Sequence, residues 1–526
     1  MYDNAKIYSC ESSYGGGVYL GTKSGSTVKP KLVMNDDSTI ENCTGKIGGG
    51  VYVGSGTFTM NDNAVISNCT GSMISGVNNK YSAGGVHVDE ASIFTMNNNS
   101  KITECTGHSA AAGGVWVQGT FYMNGGEISS NTAPYNSMAG AQNGVGGIYL
   151  NGTSDSSKAT FIMKDGKICD NNGNKYGAVS MSGYCVFDMQ GGEISGNLAS
   201  AVNSDKVPGV MIGWTQTLVD NVYHPSLFKM SGNAVISSDN DVRVSDHTVL
   251  TIAGALTGTS SVAKLSFDTY QSETAVISVA DGAETTIGAV VEKFTIKAKT
   301  VDSVTTNYML DAGGKLRVKK SAPDAVGDIV FNDGSAVAYT SGITFTDSQK
   351  SNAVCVIFYS GSEGDELGNR KLGVGLKQAT KKWCANTSAS GFYGNENTDE
   401  TDGKTNLAII KNYPDYSNDN YPAFWWADHY GTINNVTIAG STADWYLPAK
   451  KELQAVYDCK STLNASLGTL GDVNAFTTQT SYWSSTQSGT QNRQACSYYF
   501  SSESNGSMWN YPDKDNAHYV CAIREF

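Results

Sequence analysis

A motif that recurs through the first 240 residues limits what this chain can fold into. Each unit runs Gly-Gly-Val-(Tyr/Trp/His)-Val, a turn containing Gly, Phe-x-Met, a tight polar turn and an Ile, then Cys or Asn three residues on. The Met/Ile pairs are Met34/Ile40, Met60/Ile66, Met96/Ile102, Met123/Ile128, Met163/Ile168, Met189/Ile194 and Met230/Ile236, after a degenerate copy at Ile7 and Cys10. Successive Met residues lie 26, 36, 27, 40, 26 and 41 positions apart, so the base unit is about 26 residues. The extra length falls mainly between the Cys/Asn position and the next Gly-Gly. One corner therefore carries the long loops.

Pieces such as Gly50-Val51-Tyr52-Val53 and Thr57-Phe58-Thr59-Met60 alternate with period 2, and turn formers such as Asn61-Asp62-Asn63 and Gly191-Gly192 separate them. Three short strands per unit, with Gly or Asn at corners that need positive φ, describe one coil of a right-handed parallel β-helix. A propeller blade needs four strands and about 40 residues, which the shorter copies cannot supply. Cys10, Cys43, Cys69 and Cys105 occupy the slot that Asn131, Asn171 and Asn197 fill in later coils. The expected reading is an inward ladder of free thiols and amides. A metal file or a disulfide chain is the alternative, and the close Cys/His spacing of a metal site is missing. Glu127 and Glu193 share their slot with Thr39, Val65, Lys101, Lys167 and Val235, as expected of a solvated outer face rather than an acid–base pair.

Length and composition bound the rest. A chain of 526 residues exceeds one ordinary core. Its 40% hydrophobic and 10% aromatic content argues against disorder. The net charge of −13, with no Lys/Arg run, excludes nucleic acid and anionic membrane as expected partners. No apolar stretch approaches the roughly 18 residues of a membrane-spanning helix. The chain starts inside a repeat, so the reading favoured is a segment that begins after an export signal.

Past Asp241 the repeat fades while strand signals continue, and 241–322 is read as irregular final coils and a β-rich cap. Lys319-Lys320-Ser321-Ala322-Pro323-Asp324 reads as a linker. Residues 323–526 differ in kind: six of the eight Trp fall there, and helix signals appear at Thr346–Lys350 and Pro448–Tyr457. An α+β domain is expected.

Asp402-Gly403-Lys404-Thr405-Asn406, Asp444-Trp445-Tyr446-Leu447-Pro448-Ala449-Lys450-Lys451-Glu452-Leu453, Tyr482-Trp483-Ser484-Ser485-Thr486 and the closing Tyr519–Phe526 follow in order. This series resembles the C-terminal domain of bacterial collagen-like adhesins. It is also similar to retroelement-diversified variable proteins, whose C-type-lectin-like fold is akin to formylglycine-generating enzymes. The Gly-Gly-Val-Tyr and Met-x-Gly-Gly-x-Ile repeats likewise resemble those of bacterial surface adhesins. From the residues themselves, Trp445, Leu447, Leu453, Trp483 and Ile523 read as core. Asp402 and Asp444 read as caps or turn ties, with calcium at Asp399, Glu400 and Asp402 as the alternative.

From Thr486 to His518, 16 of 33 residues are Asn, Ser, Tyr, Asp or His. Rigid aromatics among small polar groups are the palette of binding loops. The candidate ligand contacts are Asn492, Tyr498, Tyr499, Ser501, Asn505, Ser507, Trp509, Asn510, Tyr511, Asp513, Asn516 and His518. The resemblance implies that this segment is a variable binding face for a protein or glycan on another cell or host surface. Neither a cofactor nor a metal is expected, and no nucleophile–base pairing is evident. The formylglycine-generating relatives use active-site cysteines, but Cys496 and Cys521 fall in a loop and in the final strand. A purely structural surface protein and a β-helix carbohydrate-active enzyme are the rival readings.

Overall fold

A computed structural model describes residues 1–526 except 23–26, 72–81, 108–110, 135–142, 202–205, 217–220, 259–260, 472 and 502–507. The chain forms two compact units, Met1–Thr305 with Gly314–Leu316, and Thr306–Gly313 with Arg317–Phe526. Lys319–Asp324 lies within the second unit, where Lys320 pairs with Asp328 at 2.8 Å and with Asp324.

The first unit is a parallel β-solenoid. Among the described residues, the Ile row is a sheet of eight strands from Lys6–Tyr8 to Val235–Ile236. The Gly-Gly-Val row has ten, from Val18–Leu20 to Phe294–Ile296, and the Phe-x-Met row has nine, from Lys31–Met34 to Ile277–Val279. Register is one to one: Ile40 opposes Ile66, Ile102 opposes Ile128 and Phe94 opposes Phe121. Like residues therefore stack across coils at the strand spacing. Phe58, Phe94, Phe121, Phe161, Phe187 and Phe228 form a buried file with ring centroids 4.9, 4.7, 4.8, 4.5 and 4.8 Å apart.

The paired glycines follow from crowding at one corner. A Cβ on Gly113 would sit 2.4 Å from the Gly146 carbonyl oxygen, so only hydrogen fits. Past Asp241 the Ile row stops while the other two rows continue through Asp241–Val244, Leu250–Leu256, Ala263–Phe267 and Ile277–Val279. The late coils are thus two-row coils.

The ladder slot is filled as the repeat implies. All eleven cysteines are free thiols, and Cys43, Cys69 and Cys105 are fully buried. Asn131 donates to Asn171 Oδ1 at 2.9 Å, Asn171 to Asn197 at 3.0 Å, and Asn197 to Asn240 at 2.7 Å. Asn240 follows its Ile by four residues rather than three, so the motif misses it. On the outer face Lys101 pairs with Glu127 at 3.4 Å and Lys167 with Glu193 at 3.6 Å.

The second unit carries one eight-stranded sheet. Its strands are β1 (Ile329–Phe331), β2 (Ala336–Val337), β3 (Ala353–Ser360), β4 (Lys371–Lys382), β5 (Thr480–Gln487), β6 (Ala495–Phe500), β7 (Met508–Asn510) and β8 (Ala517–Glu525), in the order β2-β1-β3-β4-β8-β5-β6-β7. The final strand inserts at the centre, antiparallel to β4 and meeting β5 in parallel at Tyr482 and Tyr519. Its helices are α1 (Asp347–Asn352), α2 (Gly403–Lys411), α3 (Pro422–Asp428), α4 (Tyr430–Ile433), α5 (Lys450–Asp458) and α6 (Lys460–Gly468). Thr346 and Gln349 form a capping box that starts α1, and Asp402 caps α2 through the Lys404 N–H. Helix α5 packs on β5 and β6, while α3 packs on β8 and β4. Trp383, Trp445, Trp483, Leu447, Leu453 and Ile523 lie in the core between them.

Candidate functional site

Within 486–518 the strands β6 and β7 form one edge of the sheet, and strand alternation decides which of their side chains reach solvent. In the β6–β7 hairpin Ser497 opposes Asn510, Tyr498 opposes Trp509, and Tyr499 opposes Met508. Tyr498 points inward: its ring centroid lies 4.5 Å from Trp509 and 5.2 Å from Tyr457 on α5, and the side chain is 5% exposed. Tyr499 points the other way and is half-buried beside Met508, which is 57% exposed. Trp509 is half-buried, with the Lys450 ammonium 5.5 Å over its ring.

The twelve candidate residues divide accordingly. Asn492, Tyr511 and Asn516 are exposed, and Tyr499, Trp509, Asn510, Asp513 and His518 are partly so. Tyr498 is buried behind the face because its strand position turns it into the core, and Ser501, just past the end of β6, is buried as well. Asn505 and Ser507 lie outside the described residues. Asp513 accepts from Arg493 Nε at 3.1 Å, which adds Arg493 to the surface. His518 packs edge-on against Trp483 at 4.6 Å, and burial holds its imidazole below the usual range. A cleft of 510 Å³ in this unit is lined by Asn332, Asp347, Lys350, Asn434 and Asn435 among others. None of the twelve lines it.

Two buried charges brace this end of the unit. Glu452, fully buried at the start of α5, accepts from the N–H groups of Gly403 at 3.0 Å and Ala449 at 2.8 Å, from Tyr446 Oη at 3.0 Å and from Arg370 at 2.8 Å. Burial pushes its carboxyl up to about 7, while four donors favour the ionised form. Arg370 also reaches Glu525 at 3.4 Å, tying the end of β8 to α5. Lys514 is the second, also fully buried, and has no carboxylate partner among the described residues. Its ammonium donates to the carbonyl oxygens of Gly391 at 2.9 Å, Phe392 at 2.9 Å and Gly394 at 3.2 Å, and lies 4.6 Å from the Trp383 ring centroid. Burial pulls its pKa down to about 7.

No family model matches the chain, and no curated protein matches it either. Among solved structures it is similar to a fimbrial protein from Bacteroides ovatus, at 18% sequence identity and a TM-score of 0.30. The similarity covers 38% of this chain and 49% of that one, so this chain spans about half the length of that protein.

The remaining candidates have local duties. Asp399 Oδ1 accepts from the N–H groups of Thr401 and Asp402, both at 2.8 Å, and Glu400 pairs with Lys450 at 2.8 Å. Among the described residues no group of His, Cys, Asp and Glu is arranged to hold a metal ion. Burial pushes the thiols of Cys496 and Cys521 up to about 12, so both are protonated and poor nucleophiles near neutrality.

Proposed function

We propose that this chain is a bacterial cell-surface adhesion protein, whose solenoid is a stalk for a C-type-lectin-like domain. Ligand binds on the outer side of the 486–518 segment, at Asn492, Tyr499, Asn510, Tyr511, Asp513 and Asn516, with Trp509 as part of the aromatic base beneath them, and this face varies between copies. One observation carries the reading. Tyr498 and Trp509 stack inward on α5, while their neighbours Tyr499 and Tyr511 stand outward from the same short hairpin region. A rigid aromatic base under small polar side chains supplies contact area at little cost in rotamer entropy, and it lets surface residues change without disturbing the core. The ligand is a protein or a glycan.

Sequencing of the source population across codons 480–526 tests this. The expected result is substitution confined to the outward positions, with Cys496, Tyr498 and Lys514 constant. A uniform sequence would remove the variable face and leave a fixed-specificity adhesin or a structural module. Substitution at buried and exposed positions alike would mean that the segment is not a selected surface.

A further inference from the structure

The loop from Gly391 to Gly394 lies far from 486–518 in sequence, yet Lys514 fastens it to that segment. Three successive needs are met at once. The ammonium has three hydrogens, and three loop carbonyls accept them. The backbone of Lys514 is fixed in turn, its N–H donating to the Arg493 carbonyl at 2.9 Å and its carbonyl accepting from Cys384 N at 3.0 Å. Other contacts hold the loop from outside: Gly391 N–H donates to Tyr421 Oη at 2.7 Å, and Ser390 N–H to Asp415 at 2.8 Å. Gly391 has no room for a side chain there, because a Cβ would meet the Tyr413 ring at 2.7 Å. The result is a loop held on both sides that displays Tyr393, whose side chain is 61% exposed.

We infer that the Gly391–Gly394 loop is a second wall of the proposed binding face, that Tyr393 stacks on the ligand, and that the ligand is a glycan. The inference rests on the binding-face reading and adds to it a contact residue and a ligand class. Adjacency comes from Lys514, whose neighbour Asp513 pairs with Arg493 on the surface, while its own ammonium holds the Tyr393 loop.

The class of ligand follows from what surrounds the ring. Protein interfaces centre on a contiguous apolar core. In the stretch that carries Tyr393 the exposed side chains instead include Asn386, Ser388, Ser390, Asn395 and Glu396, with no exposed aliphatic side chain in 386–396, and Asp415 reaches the same loop through the Ser390 N–H at 2.8 Å. A single exposed ring among amides, hydroxyls and carboxylates suits a pyranose, whose C–H face stacks on the ring while its hydroxyls find hydrogen-bond partners. Because the loop is already fixed, little ordering entropy is lost on binding.

The test is an array of defined oligosaccharides probed with the full chain and with three variants. The expected result is that the wild type binds at least one glycan, Tyr393→Ala weakens it tenfold or more with an unchanged melting temperature, and Tyr393→Phe retains it. Tyr511→Ala, on the 486–518 face, should weaken the same glycan. Loss with Tyr511→Ala but full binding with Tyr393→Ala would overturn the second wall and leave the 486–518 face standing. Loss with Tyr393→Ala alone would place the site off that face and overturn the shared wall. A wild type that binds no glycan would overturn the ligand class.

Discussion

Asn171 donates its side-chain N–H to Asn197 Oδ1 at 3.0 Å, across 26 positions of sequence and one coil of the solenoid. The same amide donates to the Ile128 carbonyl at 2.8 Å, and its Oδ1 accepts from both the backbone and the side chain of Asn131. Every polar atom of that buried side chain is therefore paired. Removing it orphans groups above and below, and each buried orphan costs about 1–3 kcal/mol. Asn171→Ala is expected to destabilise the first unit by roughly 3 kcal/mol or more, read as a fall in the denaturant midpoint. A change under about 0.5 kcal/mol, the usual range of a surface substitution, would mean that water replaces the ladder.

The phenylalanine file makes a different demand. Phe121 stacks between Phe94 at 4.7 Å and Phe161 at 4.8 Å and is fully buried. Its truncation opens a cavity that the rigid coils cannot close, and Phe121→Ala should cost about 3–5 kcal/mol. The outward neighbour Thr120, on the same strand, should tolerate alanine within about 0.5 kcal/mol. Equal effects at the two positions would contradict the inward–outward assignment of this strand.

How much of this could be read from the residues depends on whether the signal is repeated. The solenoid rows were legible because each Phe, Met and Ile recurs in register, and stacking turns a sequence period into a spatial file. Asn240 was not, since its offset from Ile236 breaks the pattern. The hairpin shows the limit more sharply. Tyr498 and Tyr499 are the same residue type side by side, so composition gives both to the binding face, while period-2 alternation sends one into the core. Lys514 reads as a solvated charge between Asp513 and Asp515, because its three carbonyl partners lie more than 100 positions away.

Glu452 sits where its negative charge serves four donors and the start of α5. Glu452→Gln keeps the shape but sets an N–H against at least one of those donors and leaves Arg370 facing an uncharged group. Breaking a buried pair typically costs about 3–5 kcal/mol, and a loss of that order is expected in the second unit's thermal transition. An unchanged transition would show that Glu525, 3.4 Å from Arg370, is partner enough.

The two faces of the hairpin can be separated without a ligand. Tyr498→Ala removes a ring buried against Tyr457 and Trp509 and should cost about 3–5 kcal/mol. Tyr511, 44% exposed, should tolerate alanine with a change of about 0.5 kcal/mol or less. Were Tyr511→Ala the more damaging change, its ring would be part of the core and not a contact residue.

Lys514 ties stability to pH in a direction set by its burial. In the folded unit its pKa is pulled from the ordinary 10.5 to about 7, so between those values the unfolded chain holds a proton that the folded chain has released. Unfolding then takes up a proton, and raising the pH disfavours it. The contribution of this group is therefore constant below about pH 7 and becomes more favourable as pH rises above it. The three loop carbonyls oppose the shift, since they favour the ammonium. Above the thiol range the buried cysteines and tyrosines act in the opposite sense, so the informative interval is about pH 7–8.5. Across it, stability of the wild-type second unit is expected to rise, and Lys514→Met should flatten that rise while lowering stability overall by orphaning three carbonyls. Parallel slopes for the two proteins would show that Lys514 stays charged in the folded chain, held by the carbonyls of Gly391, Phe392 and Gly394.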